Sequence, residues 1–210
     1  VIYLTINYPK GSLNRTFQNS NKKQKKSVTF ANRGMSFEAE INQTNQYYLD
    51  KGIAVIHKKP TPIQIVSVDY PKRSAAVIKE AYFKEASTTD YNGVYKGKYI
   101  DFEAKQTKNK TSFPLSNFHE HQIIHMKNCL KQDGITFVLI YFSTNKRYFL
   151  VSASVIINFW DKQTIEGRKS IPLSDIEKKG FEIHPGFVPR IPYLNILDQH
   201  FIEGDYFNGE

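Results

Sequence analysis

The chain has 210 residues, enough for one compact domain with an appendage, and 40% of them are hydrophobic, so a folded globular protein with a sizeable core is expected. Twenty-nine basic against 20 acidic residues give +9 at neutral pH, a balance that favours polyanionic partners such as DNA, RNA or anionic lipid. Cys129 is the only cysteine, which excludes an intrachain disulfide and a Cys-rich zinc site; residues 1–6 lack the flanks of a signal peptide and no apolar run reaches ~20 residues, so a soluble cytoplasmic protein is expected.

Charge is unevenly spread. Residues 1–35 carry Lys10, Arg15, Lys22, Lys23, Lys25, Lys26 and Arg33 with no acid, whereas residues 191–210 carry Asp198, Glu203, Asp205 and Glu210 with no Lys or Arg. The Asn, Ser, Lys and Gln of residues 1–31 offer little apolar surface to offset the entropy of ordering, which predicts a flexible basic arm. A domain over 32–210 follows.

Ser36 can cap a helix whose apolar positions Phe37, Ile41 and Tyr48 recur at helical spacing until Gly52. Residues 53–57 read as a buried strand, and Lys58-Lys59-Pro60-Thr61-Pro62 as a basic corner that forbids helix. Two β-prone runs, 63–68 and 76–83, flank the basic bend Tyr70-Pro71-Lys72-Arg73-Ser74, which predicts a protruding hairpin over 63–83 inserted in the domain. Two more strands are expected within 86–105, a helix over 118–133 closed by Gly134, strands over 135–142 and 147–151, and short helices over 154–160, 173–179 and 193–202. The fold class is mixed α/β.

The segment from Ser87 to Lys105 carries the chemistry. If Lys96-Gly97 is a two-residue turn, Tyr95 pairs with Lys98, and counting outwards sets Asp90 opposite Glu103 and Thr88 opposite Lys105; a turn at Asn92-Gly93 would break that pairing. Opposed carboxylates repel unless a cation binds between them, and oxygen ligands favour Mg²⁺ or Mn²⁺ over zinc. Asp101, Glu103 and Lys105 share one face of their strand, and Phe102 and Ala104 point to the other, towards the core. Glu103-x-Lys105 after Asp90 also resembles the PD-(D/E)xK nuclease pattern, in which carboxylates hold metal and the lysine stabilises charge or positions water.

Longer blocks carry a closer likeness. Asn32-Arg33-Gly34-Met35-Ser36-Phe37-Glu38, Ala54 to Val66, Ser87-Thr88-Thr89-Asp90-Tyr91 and Asp101-Phe102-Glu103-Ala104-Lys105 resemble the RecU family of Holliday junction resolvases. The resemblance implies a restriction-endonuclease-like core, a mixed central sheet flanked by helices with a β-rich stalk at 63–83. It also implies a homodimer that cuts four-way junction DNA by symmetrical nicks in recombination and repair, in company with a recombinase and a branch-migration helicase. On the matching motifs, Thr88, Asp90, Glu103 and Gln122 would ligate Mg²⁺, with Asp90, Glu103 and Lys105 catalytic. Arg33, Lys58, Lys59, Lys72, Arg73 and Phe83 are the expected DNA contacts.

Other residues read more plainly. His119, His121 and His125 suggest zinc, with His121 and His125 one helical turn apart, but Gln122 occupies the place of the glutamate in H-E-x-x-H, so no zinc role is expected and they read as surface histidines or as histidines behind a site. Cys129 reads as inert helix packing and Trp160 as core. Two other functions fit the same residues: a restriction-like nuclease of duplex DNA, and a non-catalytic DNA-binding or annealing protein that modulates a recombinase.

Overall fold

A computed structural model describes residues 35–72, 75–84 and 88–202; the expected arm at 1–31, Arg33 and Arg73 lie outside them. Helix α1 (Phe37–Asp50) starts where the Ser36 hydroxyl accepts the Ala39 N–H at 3.2 Å, and buries Phe37, Ile41 and Tyr48. Strand β1 (Val55–Lys58) follows, and the Pro60 and Pro62 corner then leads into β2 (Ile63–Asp69) and β3 (Val77–Phe83).

Strands β2 and β3 form a two-stranded antiparallel sheet of their own, paired from Ile63↔Phe83 to Asp69↔Val77 with an irregularity at Ser67. Every residue of β3 is exposed, and so is every residue of β2 except the half-buried Ser67. Among the described residues, the apolar alternation in this hairpin faces no core.

Strands β4 (Tyr91–Tyr95) and β5 (Lys98–Thr107) turn at Lys96-Gly97, both with positive φ, and pair Tyr95↔Lys98 through Tyr91↔Phe102. The alternative turn does not form, because Gly93 lies inside β4 between Ile56 of β1 and Ile100 of β5. A Cβ on Gly93 would stand 2.1 Å from the Val55 carbonyl oxygen, so glycine is what lets β1 approach.

Strand β6 (Ser112–Pro114) precedes helix α2 (Glu120–Leu130), which is shorter than the expected 118–133 because Leu115–Asn117 forms a separate 3₁₀ turn and Gln132 to Gly134 close the C-terminus by bonds back to Cys129 and Leu130. Strands β7 (Ile135–Phe142) and β8 (Arg147–Ser152) follow, then helix α3 (Ala153–Glu166), which runs past the expected 154–160 to Gly167 at φ +69. Strand β9 (Ser170–Pro172) pairs with β6, helix α4 (Leu173–Lys179) matches its expected span, and β10 (Phe181–Ile183) closes the sheet. The expected 193–202 helix divides into α5 (Tyr193–Leu197) and a π turn at Asp198–Ile202. The three-residue strands β6, β9 and β10 are too short to show a period.

The central sheet has the order β1-β4-β5-β7-β8-β10 and is mixed, with β5 and β7 parallel across the α2 crossover and the other pairs antiparallel. Alternation along β7 divides two cores. Phe137 and Leu139 pack with α1, Phe102 and Tyr193, while Val138 and Ile140 pack with Ile123 and Met126 of α2 and Ile156 of α3. Trp160 is only partly buried, against the second core. Among the described residues, no helix is long and apolar enough to cross a membrane.

Candidate active site

Strand β5 places Asp101 and Glu103 on the face that α2 covers, and Phe102 on the other, within the first core. Asp101 and Glu103 are both fully buried, although their face of the strand reads as open and polar in the sequence. Helix α2 roofs it because the parallel β5–β7 pair requires a crossover.

Asp90 lies one residue before β4, continuing the register that pairs Tyr91 with Phe102, and its backbone N–H donates to Glu103 Oε2 at 3.1 Å. The Asp90 carbonyl accepts the Lys59 N–H at 2.7 Å, which ties the segment to the end of β1. Lys105 Nζ lies 2.9 Å from Glu103 Oε1 and 5.9 Å from the centre of the Phe118 ring, just before α2. Despite the ion pair, Glu103 Oε1 has no aligned hydrogen bond. Burial, reinforced by Asp90, pushes the Glu103 carboxyl up to about 8 against the pull of Lys105. A buried carboxyl that resists ionisation beside a second carboxylate is a site that a cation would complete.

Of the other expected ligands, Thr88 precedes Asp90 by two residues and Gln122 comes from helix α2. Thr88 is half-buried and its hydroxyl donates to the Thr89 carbonyl at 3.2 Å, leaving its lone pairs free. Gln122, in the first turn of α2, is buried, and its Oε1 accepts the His119 N–H at 3.1 Å with one lone pair to spare. A cleft of about 250 Å³ is lined by Lys58, Lys59, the two prolines of the corner, Thr88 and Asp90. The roomiest cavity described, about 440 Å³ between Leu130, Ser154 and Lys179, shares none of these residues.

The expected DNA contacts divide. Lys72 and Phe83 are exposed, Phe83 by 83%, and Lys58 is exposed but holds Glu38 at 2.6 Å. Lys59 turns inward, with Nζ 2.8 Å from Asp101 Oδ2 and 3.1 Å from Thr89 Oγ1.

Asp101 is the hub of a cluster for which the sequence reading assigned no role. Thr89 donates to its Oδ1; Lys59, the Tyr99 hydroxyl at 2.8 Å and His125 Nε2 at 3.1 Å meet its Oδ2. Burial alone would raise the Asp101 carboxyl, but hydrogen bonds from Lys59, Thr89 and His125 hold it below its usual range. Cys129 Sγ lies 3.4 Å from His125 Nε2, and burial followed by Asp101 pushes its thiol up, so it is no activated nucleophile. The four-residue spacing of His125 and Cys129 was the available signal, and only the fold brings Asp101 to it.

A family model described as Recombination protein U matches residues 32–199. A protein of Lactiplantibacillus plantarum named Holliday junction resolvase RecU is 62% identical over 202 residues, covering 95% of this chain and 97% of that protein. Proteins of the same name from Streptococcus equi subsp. equi and Bacillus cereus are 59% and 58% identical, covering 96% and 93% of this chain and 99% and 98% of their own lengths. With a mixed sheet flanked by helices and its matched residues spanning that sheet, the chain belongs to the RecU family.

Proposed function

We propose that this chain is a Mg²⁺-dependent endodeoxyribonuclease that resolves Holliday junctions in recombination and repair by nicking two strands of like polarity. The observation that carries the reading is Glu103: fully buried, its carboxyl held up at about 8, one oxygen without an aligned hydrogen bond, and Asp90 beside it. Such an arrangement is costly as bare structure and fits a hard divalent ion, Mg²⁺ or Mn²⁺. Asp90 and Glu103 would hold it, with Thr88 and Gln122 as neutral oxygen ligands. The ion, when bound, supplies Lewis acidity to a phosphate oxygen and makes a bound water more acidic.

The remaining work falls to the chain. Lys105, fixed against Glu103, offsets the charge that grows on the phosphorus oxygens as water adds and the leaving oxygen departs. Lys58 and Lys59, lining the cleft that reaches Asp90, lie where backbone phosphates would pass. Among the described residues one chain carries one such carboxylate pair, so paired nicks call for a homodimer, and the exposed β2–β3 hairpin is the part available to enter the open centre of a branched junction. A recombinase and a branch-migration helicase are its expected partners, and the bacterial cytoplasm its place of work.

The test compares cleavage of a four-way junction and a linear duplex of the same sequence, each with Mg²⁺ and with EDTA. Metal-dependent, paired cuts in the junction alone are expected. Equal cutting of the duplex would make it a restriction-like enzyme, and binding without cutting would make it a non-catalytic DNA-binding protein.

A further inference from the structure

We propose that Asp101, His125 and Cys129 form a second cation site, for a thiophilic divalent ion of the zinc class, separate from the Asp90–Glu103 pair. Their ligand atoms all lie within 4.8 Å of one another. His125 Nε2 stands 3.1 Å from Asp101 Oδ2 and 3.4 Å from Cys129 Sγ. Tetrahedral zinc at ordinary bond lengths separates nitrogen from oxygen by about 3.3 Å and nitrogen from sulfur by about 3.6 Å, so the two edges from His125 lie within about 0.2 Å of it, and the third, between Asp101 and Cys129, is no longer than 4.8 Å.

Two of the ligands are supplied by one turn of α2, as residues i and i+4 on the same helix face, and the third by the strand beneath it. Three protein ligands leave one position for water. The imidazole and thiol select a borderline-soft ion over Mg²⁺, which distinguishes this site from the oxygen-lined one. Asp101 is already oriented by outer partners: the Thr89 hydroxyl holds Oδ1, and the Tyr99 hydroxyl donates to Oδ2.

Lys59 is the competitor. Its ammonium stands 2.8 Å from Asp101 Oδ2, where it occupies the charge that the ion would take. An ammonium and a dication cannot both stay, and Lys59 lies on the corner after β1 with its side chain 18% exposed, so it is the group that leaves. The side chain of His125 is equally exposed, which gives the ion an entry path. The site is therefore gated by a lysine that also lines the cleft at Asp90.

The inference does not rest on the nuclease reading, and its experiment is arranged so that the two fail separately. The untagged 210-residue chain carrying Asp90→Asn and Glu103→Gln is titrated with Co²⁺ under a non-thiol reductant. Since Cys129 is the only cysteine, a near-ultraviolet sulfur-to-cobalt charge-transfer band has one source. One Co²⁺ per chain is expected to produce the band, with Zn²⁺ displacing it. His125→Ala or Asp101→Asn should weaken Co²⁺ by at least about tenfold, and Lys59→Met should tighten it by a similar factor. His125→Ala removes a part-exposed side chain, so it keeps the test sound if Asp101→Asn fails to fold. Absence of the band, or a band whose affinity is indifferent to His125 and Lys59, would mean a lone thiol and overturn the site.

Discussion

The backbone N–H of Asp90 donates to Glu103 Oε2 across 3.1 Å, so the segment that presents one carboxylate also fixes the other. Asp90→Asn or Glu103→Gln keeps the shape and removes charge that a divalent ion needs. Each is expected to abolish junction cleavage while leaving junction affinity unchanged at fixed salt, since the proposed phosphate contacts lie elsewhere and would supply the affinity. Gel-shift and cleavage assays on the same preparations check this, and normal cutting by either variant rules out the proposed metal site.

Glu103 also sets a pH signature. Its carboxyl ionises near 4.5 in an unfolded chain and near 8 in the folded, metal-free protein, so between these values the folded state holds a proton that the unfolded state has released. That contribution to stability is fully present below pH 4.5 and is lost as pH rises through about 8, at about 1 kcal/mol per pH unit. Glu103→Gln removes the ionisation. Its advantage over the parent in EDTA should grow from pH 5 to pH 8 and then level off. Saturating Mg²⁺ should narrow the gap by binding the ionised form of the parent. Denaturant melts at stepped pH measure it, and a constant difference between the two proteins would contradict the assignment.

Lys105 approaches Glu103 Oε1 from the same strand. Lys105→Ala is expected to lower the single-turnover cleavage rate by about 10²–10³, the scale for losing one preorganised electrostatic stabiliser, with little change in junction affinity. A rate within twofold of the parent, with Mg²⁺ saturating, would remove it from the chemistry.

Much of this site was legible because two-residue turns fix register. Lys96-Gly97 determined which residues of β4 and β5 face each other, and that in turn carried Asp90 to Glu103. What the sequence hid were relations made by the crossover. Helix α2 buries Asp101 and Glu103 and swings His125 and Cys129 over Asp101, and no local pattern encodes which strand residue a helix turn meets. Lys59 shows the same limit: the Lys58-Lys59-Pro60 corner does not announce that one of its two cations meets a carboxylate 42 positions away. The short strands β6, β9 and β10 owe their existence to partners distant in the chain, which their three residues do not announce.

Gly93 offers a test of the frame around the site. Its Cβ would meet the Val55 carbonyl oxygen at 2.1 Å and Ile56 Cα at 2.6 Å, both backbone atoms that cannot rotate away. Gly93→Ala should therefore separate β1 from β4, destabilising the fold by roughly 2–4 kcal/mol and disturbing the Lys59–Asp90 backbone bond. Urea titration checks the loss. A variant as stable as the parent would show that β1 and β4 have room to part.

The last prediction concerns the β2–β3 hairpin. Its strands expose Ile63, Ile65, Val66, Ile78, Tyr82 and Phe83, and Lys72 is exposed beyond β2. Over residues 58–84 six basic groups stand against Asp69 and Glu80, of which Asp69 already pairs with Lys79 at 3.0 Å. A two-stranded sheet with both faces in water is marginal by itself, so those apolar groups need something to cover them. On the proposed function, unstacked bases at the centre of a junction would meet the aromatic pair Tyr82 and Phe83, with stacking worth about 1–3 kcal/mol per base, and the basic bend would meet phosphate. A second copy of the chain is the competing cover. Replacing residues 66–78 by a tight turn leaves the central sheet, Asp90, Glu103 and Lys105 untouched, so metal binding and the cooperative melt should persist while the preference for four-way junctions over linear duplex disappears. Sedimentation and competition binding are read together. If the shortened protein sediments as a smaller species than the parent, the hairpin is a subunit arm, and if it still prefers junctions at matched salt, the hairpin does not read the branch.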